Sequence, residues 1–317
     1  MKLKGILSLI LLFTSLYCGA QNITAHRGEV EDGYNFWLAQ PDQDGTKKPV
    51  IIFLHGRSLC GTDLNRVKNY GTIDAIEKGR DINAYVIAPQ NPGGSWSPKK
   101  IDNVLEYVEK KYPDIDKDRV YVIGMSLGGY GTLGYVTAYP EKVAAAIAMC
   151  GGNSNKDSSP LNQVPLWIIH GTGDRDVSVA KSDQVVESMK AANPSTPRLI
   201  YDRIPGMNHS KPARVFYMEE TYDWLLKHNL KDEGRPVAKS FELNEAQWKS
   251  AYNNLNFSGG RKKSSAKTSK SASTNKKESS NKKSSASKSS SSKKSSSSKS
   301  NTKKTSSSKK KTSSKKK

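Results

Sequence analysis

The sequence contains few residues of the kinds that bind metals or cross-link a chain. Its 317 residues include only five histidines and three cysteines. No two histidines have the spacing of metal ligands, the acidic residues form no cluster, and no nucleotide-binding motif occurs. We therefore expect no metal ion and no other cofactor, so any catalysis must rest on amino-acid side chains.

The C-terminal segment 261–317 lacks aromatic and large aliphatic side chains. It carries 20 Lys and one Arg against one Glu, a net charge of +20 out of +21 for the whole chain. Such a segment cannot bury enough apolar surface to offset its chain entropy, so the sequence predicts a disordered tail. The tail has no nucleic-acid-binding module and nothing to stack on bases. We expect it either to remain solvated or to bind anionic surfaces non-specifically.

The N-terminus lacks an apolar run long enough to span a membrane. Lys2 and Lys4 precede a short apolar run at 6–17, and small residues follow. This pattern predicts a secretory signal peptide at 1–20 and a periplasmic or secreted protein. Cys18 leaves a bacterial lipoprotein as the alternative, although a bulky tyrosine stands where a small residue should precede the lipidated cysteine.

Strand-like and helix-like segments alternate through the remaining sequence. The predicted strands are 34–39, 50–54, 84–88, 119–123, 143–149, 165–169 and 198–204, and the predicted helices are 99–111, 127–138, 178–190 and 213–228. This alternation predicts one α/β domain at 21–230, with a mostly parallel, twisted sheet and helices on both faces. No gap is long enough for a lid domain, since the longest on the expected catalytic side is 152–164. Residues 231–260 resemble a polar linker with a short amphipathic helix at about 244–254, which either packs on the domain or only leads into the tail.

The segment VYVIGMSLGGYGT at 120–132 has the form of a nucleophile elbow. A strand-like run breaks at Gly124, Ser126 follows, and a helix-compatible run begins at Leu127. Gly124 and Gly128 suit a sharp turn in which the chain passes close to neighbouring backbone. The helix after Ser126 would direct its N-terminal N–H groups toward an oxyanion formed there. The sequence thus predicts a nucleophilic serine.

A nucleophilic serine needs a base and an acid that orients the base. After an elbow of this type, the acid and then the histidine follow along the chain. His209 lies downstream of candidate acids and in a loop after a predicted strand. The other histidines precede the predicted fold, adjoin strand ends or close a helix: His26, His55, His170 and His228. Asp174 and Asp176 compete as the acid, and we favour Asp174 because Asp176 is also explained as a charge or cap at the next helix.

These residues give the chain a resemblance to the α/β-hydrolase superfamily. It looks most like the small, lidless serine esterases grouped with phospholipase/carboxylesterases, dienelactone hydrolases and the predicted-peptidase branch near prolyl oligopeptidases. The matching segments, within about 30–230, are FLHG at 53–56, APQ at 88–90 with Trp96, 118–132, 144–152, 165–177 and the loop around His209. The resemblance implies an α/β-hydrolase fold with Ser126 as nucleophile, His209 as base, Asp174 as acid and the Leu127 N–H as an oxyanion donor.

The loop after FLHG departs from the family pattern. Relatives usually continue with small or glycine-rich residues, whereas here Arg57 comes first and the next glycine is Gly61. The resemblance implies that the backbone N–H of Arg57 is the second oxyanion donor. Cys60 in this loop and Cys150 at a strand exit are expected on the same face. In an oxidising compartment the sequence leaves two alternatives for this pair, a disulfide or two free thiols.

The resemblance implies a secreted carboxylesterase that hydrolyses small or sugar-linked esters through an acyl-enzyme. A serine peptidase of the prolyl-oligopeptidase type is the alternative within the enzyme class, although the chain has no room for a large propeller or cap. A non-catalytic surface protein that binds anions through its basic tail is the alternative outside it. Trp96 is expected to line the substrate pocket, with packing in the core as the equal alternative.

Overall fold

Eight strands form a single sheet in the computed structural model, which describes residues 21–235, 237 and 243–257. The strands are β1 (Asn22–His26), β2 (Phe36–Gln40), β3 (Lys48–Leu54), β4 (Tyr85–Pro89), β5 (Ile115–Met125), β6 (Ala145–Met149), β7 (Leu166–Gly171) and β8 (Leu199–Ile204). Their order across the sheet is β1-β2-β4-β3-β5-β6-β7-β8. Only the pairs β1–β2 and β2–β4 are antiparallel. The predicted mostly parallel sheet is therefore confirmed.

Six α-helices cover both faces of the sheet within the described residues. They are α1 (Thr72–Glu77), α2 (Pro98–Lys111), α3 (Leu127–Ala138), α4 (Ala180–Ala192), α5 (Glu219–Leu226) and α6 (Glu245–Ser250). Ile51 and Phe53 of β3 pack in one core with α1, α5 and α6, whereas Ile52 and Leu54 pack in a second core with α2, α3 and α4. Both faces of β3 are thus buried, which explains why its sequence is apolar throughout.

The structure differs from the predicted elements at three places. β1 pairs with β2 at the sheet edge, so His26 does not precede the fold but stacks on Phe36, with ring centroids 4.6 Å apart. α1 occupies a short segment for which no helix is predicted. The helix predicted at 213–228 is a 3-10 helix, Lys211–Tyr217, followed by α5, because Met218 between them has an extended backbone.

The segment predicted as a linker contributes to the folded domain. α6 begins after Asn244, whose side chain accepts backbone N–H groups of the first turn. Trp248 on this helix is buried in the core that contains α1 and α5. Arg214 Nη1 donates to the carbonyl oxygen of Trp248 at 2.6 Å. The domain that the sequence predicted to end at residue 230 therefore includes this helix.

The chain divides into two units, Met1–Arg261 and Lys262–Lys317, and every described residue lies in the first. The predicted signal peptide at 1–20 and the predicted tail at 261–317 lie outside the described residues. Within the described part of the chain, no segment between two elements is large enough for a separate lid domain. In that same part, none of the helices has the length and apolar character needed to cross a bilayer.

Candidate active site

Ser126 lies in the turn between β5 and α3. Its backbone φ is 59°, in the left-handed region that residues other than glycine rarely adopt. A Cβ on Gly124 would lie 2.3 Å from the carbonyl oxygen of Gly128, and a Cβ on Gly128 would lie 1.8 Å from that of Leu54. Because real Cβ atoms cannot approach so closely, both positions require glycine. The close backbone passage expected of the elbow is present.

Asp174 and His209 reach Ser126 from the ends of two neighbouring strands. Asp174 follows β7 and His209 follows β8, and both strands end at the same edge of the parallel sheet as β5. His209 Nδ1–H donates to Asp174 Oδ2 at 2.7 Å, and Ser126 Oγ–H donates to His209 Nε2 at 3.0 Å. The ring tautomer follows from these partners, because an ionised carboxylate can only accept. The structure thus brings together the three residues that the sequence singled out.

The Asp174 carboxylate is held from the backbone as well as by His209. Its Oδ1 accepts the N–H groups of Asp176 and Val177, each at 2.9 Å. Burial alone would raise the pKa of Asp174, but the Val177 N–H, the His209 ring and the Asp176 N–H together lower it below its ordinary value. Asp174 is therefore ionised at neutral pH. Asp176, the competing candidate, has an exposed side chain at the cleft and bonds Asp174 through its backbone only.

An open cleft of about 720 Å³ lies in front of Ser126 and His209. Its lining consists of Gly56, Arg57, Ser58, Tyr70, Met125, Ser126, Leu127, Tyr130, Asp176, Val177, His209, Ser210 and Ala213. Leu127 is the first residue of α3, where its N–H has no carbonyl partner within the helix. Arg57 likewise begins a 3-10 helix, Arg57–Leu59, and its side chain is exposed. Both residues predicted to donate to an oxyanion therefore line the cleft that contains Ser126.

His55 fixes the loop that carries Arg57. Its Nε2 accepts the N–H of Asn91 at 3.0 Å, and its Nδ1–H donates to the carbonyl oxygen of Gly56 at 2.8 Å. Burial lowers the pKa of His55 to about 4. The ring is therefore neutral at neutral pH, and a neutral ring can accept and donate at the same time. His55 therefore packs and forms hydrogen bonds locally at the end of β3.

Tyr70 is a residue of the cleft that the sequence reasoning missed. Its hydroxyl accepts the N–H of Gly56 at 3.1 Å and lies within 3.4 Å of Ser58 Oγ. On the far side of the same loop, Arg66 Nη2 donates to the carbonyl oxygen of Ser58 at 2.7 Å. Tyr70 follows a short 3-10 helix with no motif or regular periodicity, so the sequence offered no signal for its position.

Trp96 does not line the cleft, and the prediction of a pocket residue is corrected here. The side chain is buried, and its ring packs edge-on against His55, with centroids 4.9 Å apart. Its Nε1–H donates to the carbonyl oxygen of His55 at 3.3 Å. Trp96 therefore supports the end of β3 from inside the core, which is the alternative that the sequence left open.

Cys60 and Cys150 are both free thiols. Cys150 is buried behind the site, and burial raises the pKa of its thiol. Its sulfur, the Asp174 carboxylate and the His209 ring offer ligand atoms within 4.8 Å of one another. A metal ion held by these atoms would have to replace the hydrogen bond between Asp174 and His209. The closeness of the three groups is thus already explained by that hydrogen bond and by the packing of Cys150.

Comparisons with known proteins agree with this fold. A family model described as the alpha/beta hydrolase fold matches residues 49–198. The crystal structure of a thermostable esterase matches with a TM-score of 0.52 and 24% sequence identity, covering 66% of this chain and 63% of that chain. At this identity the structural likeness concerns the fold.

Two curated relatives match part of the chain. The bifunctional acetylxylan esterase/xylanase XynS20E of Neocallimastix patriciarum is 24% identical, with 49% of this chain and 23% of the relative covered. Dipeptidyl aminopeptidase BIII of Pseudoxanthomonas mexicana is 26% identical, with 47% of this chain and 27% of the relative covered. The chain thus spans about a quarter of the length of these two relatives.

The strand order, the elbow and the family match together show that this chain has the α/β-hydrolase fold. In sequence it is similar to parts of an esterase and of a peptidase.

Proposed function

We propose that this protein is a serine hydrolase of carboxylic esters that works through a covalent acyl-enzyme. The observation that carries the proposal is the hydrogen-bonded row from Ser126 Oγ through His209 to Asp174, with distances of 3.0 Å and 2.7 Å. A serine hydroxyl becomes a nucleophile when a base accepts its proton and a carboxylate orients that base. The open cleft beside Ser126 supplies the space for a substrate.

In the proposed reaction, His209 Nε2 takes the proton of Ser126 Oγ as this oxygen attacks the ester carbonyl carbon. Asp174 stabilises the imidazolium that forms and keeps the Nδ1 proton directed toward itself. The N–H groups of Leu127 and Arg57 would donate to the tetrahedral oxyanion. The imidazolium then protonates the leaving alcohol while the acyl group remains on Ser126. A water molecule deprotonated by His209 finally releases the acid.

The proposed substrate is an ester of a small acyl group with a small or sugar-linked alcohol, and the lining of the cleft favours it. Tyr70, Met125, Leu127, Tyr130 and Val177 provide an apolar lining for an acyl chain. The cleft opens to solvent, so a larger alcohol such as a sugar chain could extend away from it. The similarity to an acetylxylan esterase/xylanase points in the same direction, although it covers about half of this chain.

Hydrolysis of p-nitrophenyl acetate and labelling by a fluorophosphonate probe test this proposal on the purified protein. We expect both for the wild type and neither for Ser126→Ala, whose kcat should fall on the order of 10⁶-fold, as for other triad nucleophiles. Ser195→Ala, at an exposed serine outside the cleft, should keep wild-type turnover. If folded wild-type protein neither hydrolyses the ester nor reacts with the probe, the non-catalytic surface protein becomes the better interpretation.

A serine peptidase is the second candidate, since the dipeptidyl aminopeptidase relative favours it. The described residues contain no propeller or cap to restrict entry to peptides, which favours the esterase. Acetylated xylan, feruloyl esters and short peptides should be compared under the same conditions. A kcat/KM for peptides above that for every ester would reverse the order of the two candidates.

We also propose that the protein is exported and that its tail contacts anionic surfaces. The support is the sequence alone: the N-terminal pattern at 1–20 and the net charge of +20 at 261–317. The intact mass of the natively produced protein should correspond to a chain that begins at Gln21. A lipid-modified Cys18, or a retained Met1, would contradict this proposal.

A further inference from the structure

We propose that His170 is a positioning residue that holds the Asp174 carboxylate in the orientation needed to support His209. The inference rests on the proposed function and adds a residue to its site. His170 is the last-but-one residue of β7, four positions before Asp174. Neither side chain has any solvent exposure.

The Asp174 carboxylate accepts three hydrogen bonds and has a further ring N–H, that of His170, close to it. Its Oδ1 accepts the N–H groups of Asp176 and Val177. Its Oδ2 lies 2.7 Å from His209 Nδ1 and 3.3 Å from His170 Nε2. The Cys150 thiol also contacts this carboxylate, so His170 is one of two buried side chains that face it besides His209. His209 and His170 thus face the same oxygen. His209 is the base of the proposed reaction, whereas His170 takes no part in the proton transfer.

The partners of His170 determine where its ring carries a proton. Burial lowers the pKa of His170, with the Val177 carbonyl and Asp174 opposing this only in part, so the ring is neutral at neutral pH. Nε2 lies 2.9 Å from the carbonyl oxygen of Val177 as well as near Asp174. Both of these are acceptors, so the single proton must be on Nε2.

The other ring nitrogen anchors His170 to the body of the domain. Nδ1 lies 2.8 Å from the hydroxyl of Ser182, which is buried in the first turn of α4. With Nε2 protonated and the ring neutral, Nδ1 is an acceptor, so the one Ser182 hydroxyl proton is shared between Nδ1 and the Gly151 carbonyl oxygen. Ser182 Oγ also lies 2.8 Å from the carbonyl oxygen of Gly151, in the loop after β6. His170 therefore ties the acid to a helix and to a second strand end.

A carboxylate that loses the His170 donor keeps its backbone partners on Oδ1 but can shift at Oδ2. The His209 ring, which depends on Oδ2, would then be less well aligned with Ser126. The contact of an N–H donor with a charged group is lost in this change, and we expect a fall in kcat of roughly 10- to 100-fold. KM should stay within about twofold, because His170 lies behind Asp174 and does not line the cleft.

Two variants of similar size separate positioning from packing. In His170→Gln the amide nitrogen can take the place of Nε2 and donate toward Asp174. In His170→Asn the shorter amide reaches only the place of Nδ1, near Ser182. We expect p-nitrophenyl acetate turnover to fall in His170→Asn and to be largely restored in His170→Gln, with circular dichroism and melting temperature showing that both are folded. Equal kcat values for these two variants would overturn the proposal.

The wild-type protein provides a measurement that needs no folded variant. Ring ¹⁵N chemical shifts, with His170 assigned by sequential correlation in the wild-type protein, should show a neutral ring protonated on Nε2. A proton on Nδ1 would overturn the proposal. This measurement does not depend on turnover, so it remains informative if the wild-type protein fails to hydrolyse esters and the esterase proposal itself is rejected.

Discussion

Ser126 keeps a backbone conformation that costs on the order of 1–3 kcal/mol for a residue with a Cβ. Its N–H donates to the carbonyl oxygen of Met149 at 2.8 Å, and its own carbonyl accepts the N–H of Tyr130 at 3.0 Å. These bonds tie the turn to β6 and to the first turn of α3. The strain is thus offset by the surrounding fold, and the hydroxyl stays in place beside His209.

At the same scale, the two aspartates of the acid loop give a matched pair of variants. Asp174→Asn should lower kcat by about 10⁴-fold, because an amide at this position favours the wrong tautomer of His209. Asp176→Asn should cost far less, since only its backbone N–H takes part in the network. Steady-state hydrolysis of p-nitrophenyl acetate by both variants makes the comparison. The reverse order of losses would show that Asp176 is the functional acid.

At the scale of elements, the packing of α3 against β3 depends on a single missing side chain. A Cβ at Gly128 would lie 1.8 Å from the carbonyl oxygen of Leu54. The obstacle is backbone, which cannot move without shifting the strand. The helix that begins at the nucleophile can therefore approach the sheet only with glycine at this position.

Gly128→Ala and Gly134→Ala, both in α3, should have opposite effects. Gly128→Ala must push α3 away from β3, and we expect severe loss of stability or no soluble protein. At Gly134 the nearest atom to a new Cβ is 4.0 Å away, so alanine should stabilise the helix by up to roughly 1 kcal/mol. Urea unfolding of the two variants and the wild type measures both effects. A Gly128→Ala variant with wild-type stability would refute the close approach.

His55 makes the loop after β3 sensitive to pH. Its pKa in the folded protein is about 4, against an ordinary value of 6.5, so the unfolded chain takes up the proton first as the pH falls. Stability is therefore fully present above pH 6.5 and decreases toward pH 4, by about 3 kcal/mol at most for this group. The free energy of unfolding, measured from pH 7 to pH 4.5, should fall less steeply for His55→Gln than for the wild type. Parallel curves would contradict the assignment, since all other titrating groups are shared.

At the scale of the whole molecule, the charge lies almost entirely in one segment. Residues 261–317 carry +20 of the formal +21, which leaves about +1 for all the remaining residues. The remaining residues therefore have no net charge that attracts polyanions, and we expect any such binding to come from the C-terminal segment.

Truncation after Gly260 should separate catalysis from anion binding. We expect unchanged turnover of a small neutral ester, because Ser126, Asp174 and His209 all precede this point. Elution from a heparin column should move to much lower salt, since lysines that neutralise fixed anions and release counterions are removed. Elution of both proteins at the same salt concentration would mean that the tail is not an anion-binding element.

Much of the architecture could be predicted because its signals are local. The apolar runs of β3, β5, β6 and β7 and the helical segment of α3 are contiguous, so periodicity alone located them. The elbow likewise lies within one short segment at 120–132. β1, α1 and α6 are short, and their stability comes from packing against distant residues, such as that of Trp248 in the core. The local sequence pattern therefore predicted neither β1 nor α1, and it did not show that α6 belongs to the domain.

The sequence by itself determined the fold class, the serine of the elbow and a short set of candidates for its base and acid. Residue type and order along the chain restrict all three. Tertiary structure alone decided which aspartate meets His209, since Asp174 and Asp176 lie in one loop and differ only in where their side chains point. It also decided that Trp96 belongs to the core and that His170 contacts the acid. Such contacts depend on how loops from different strand ends converge at the sheet edge, and no local pattern encodes that convergence.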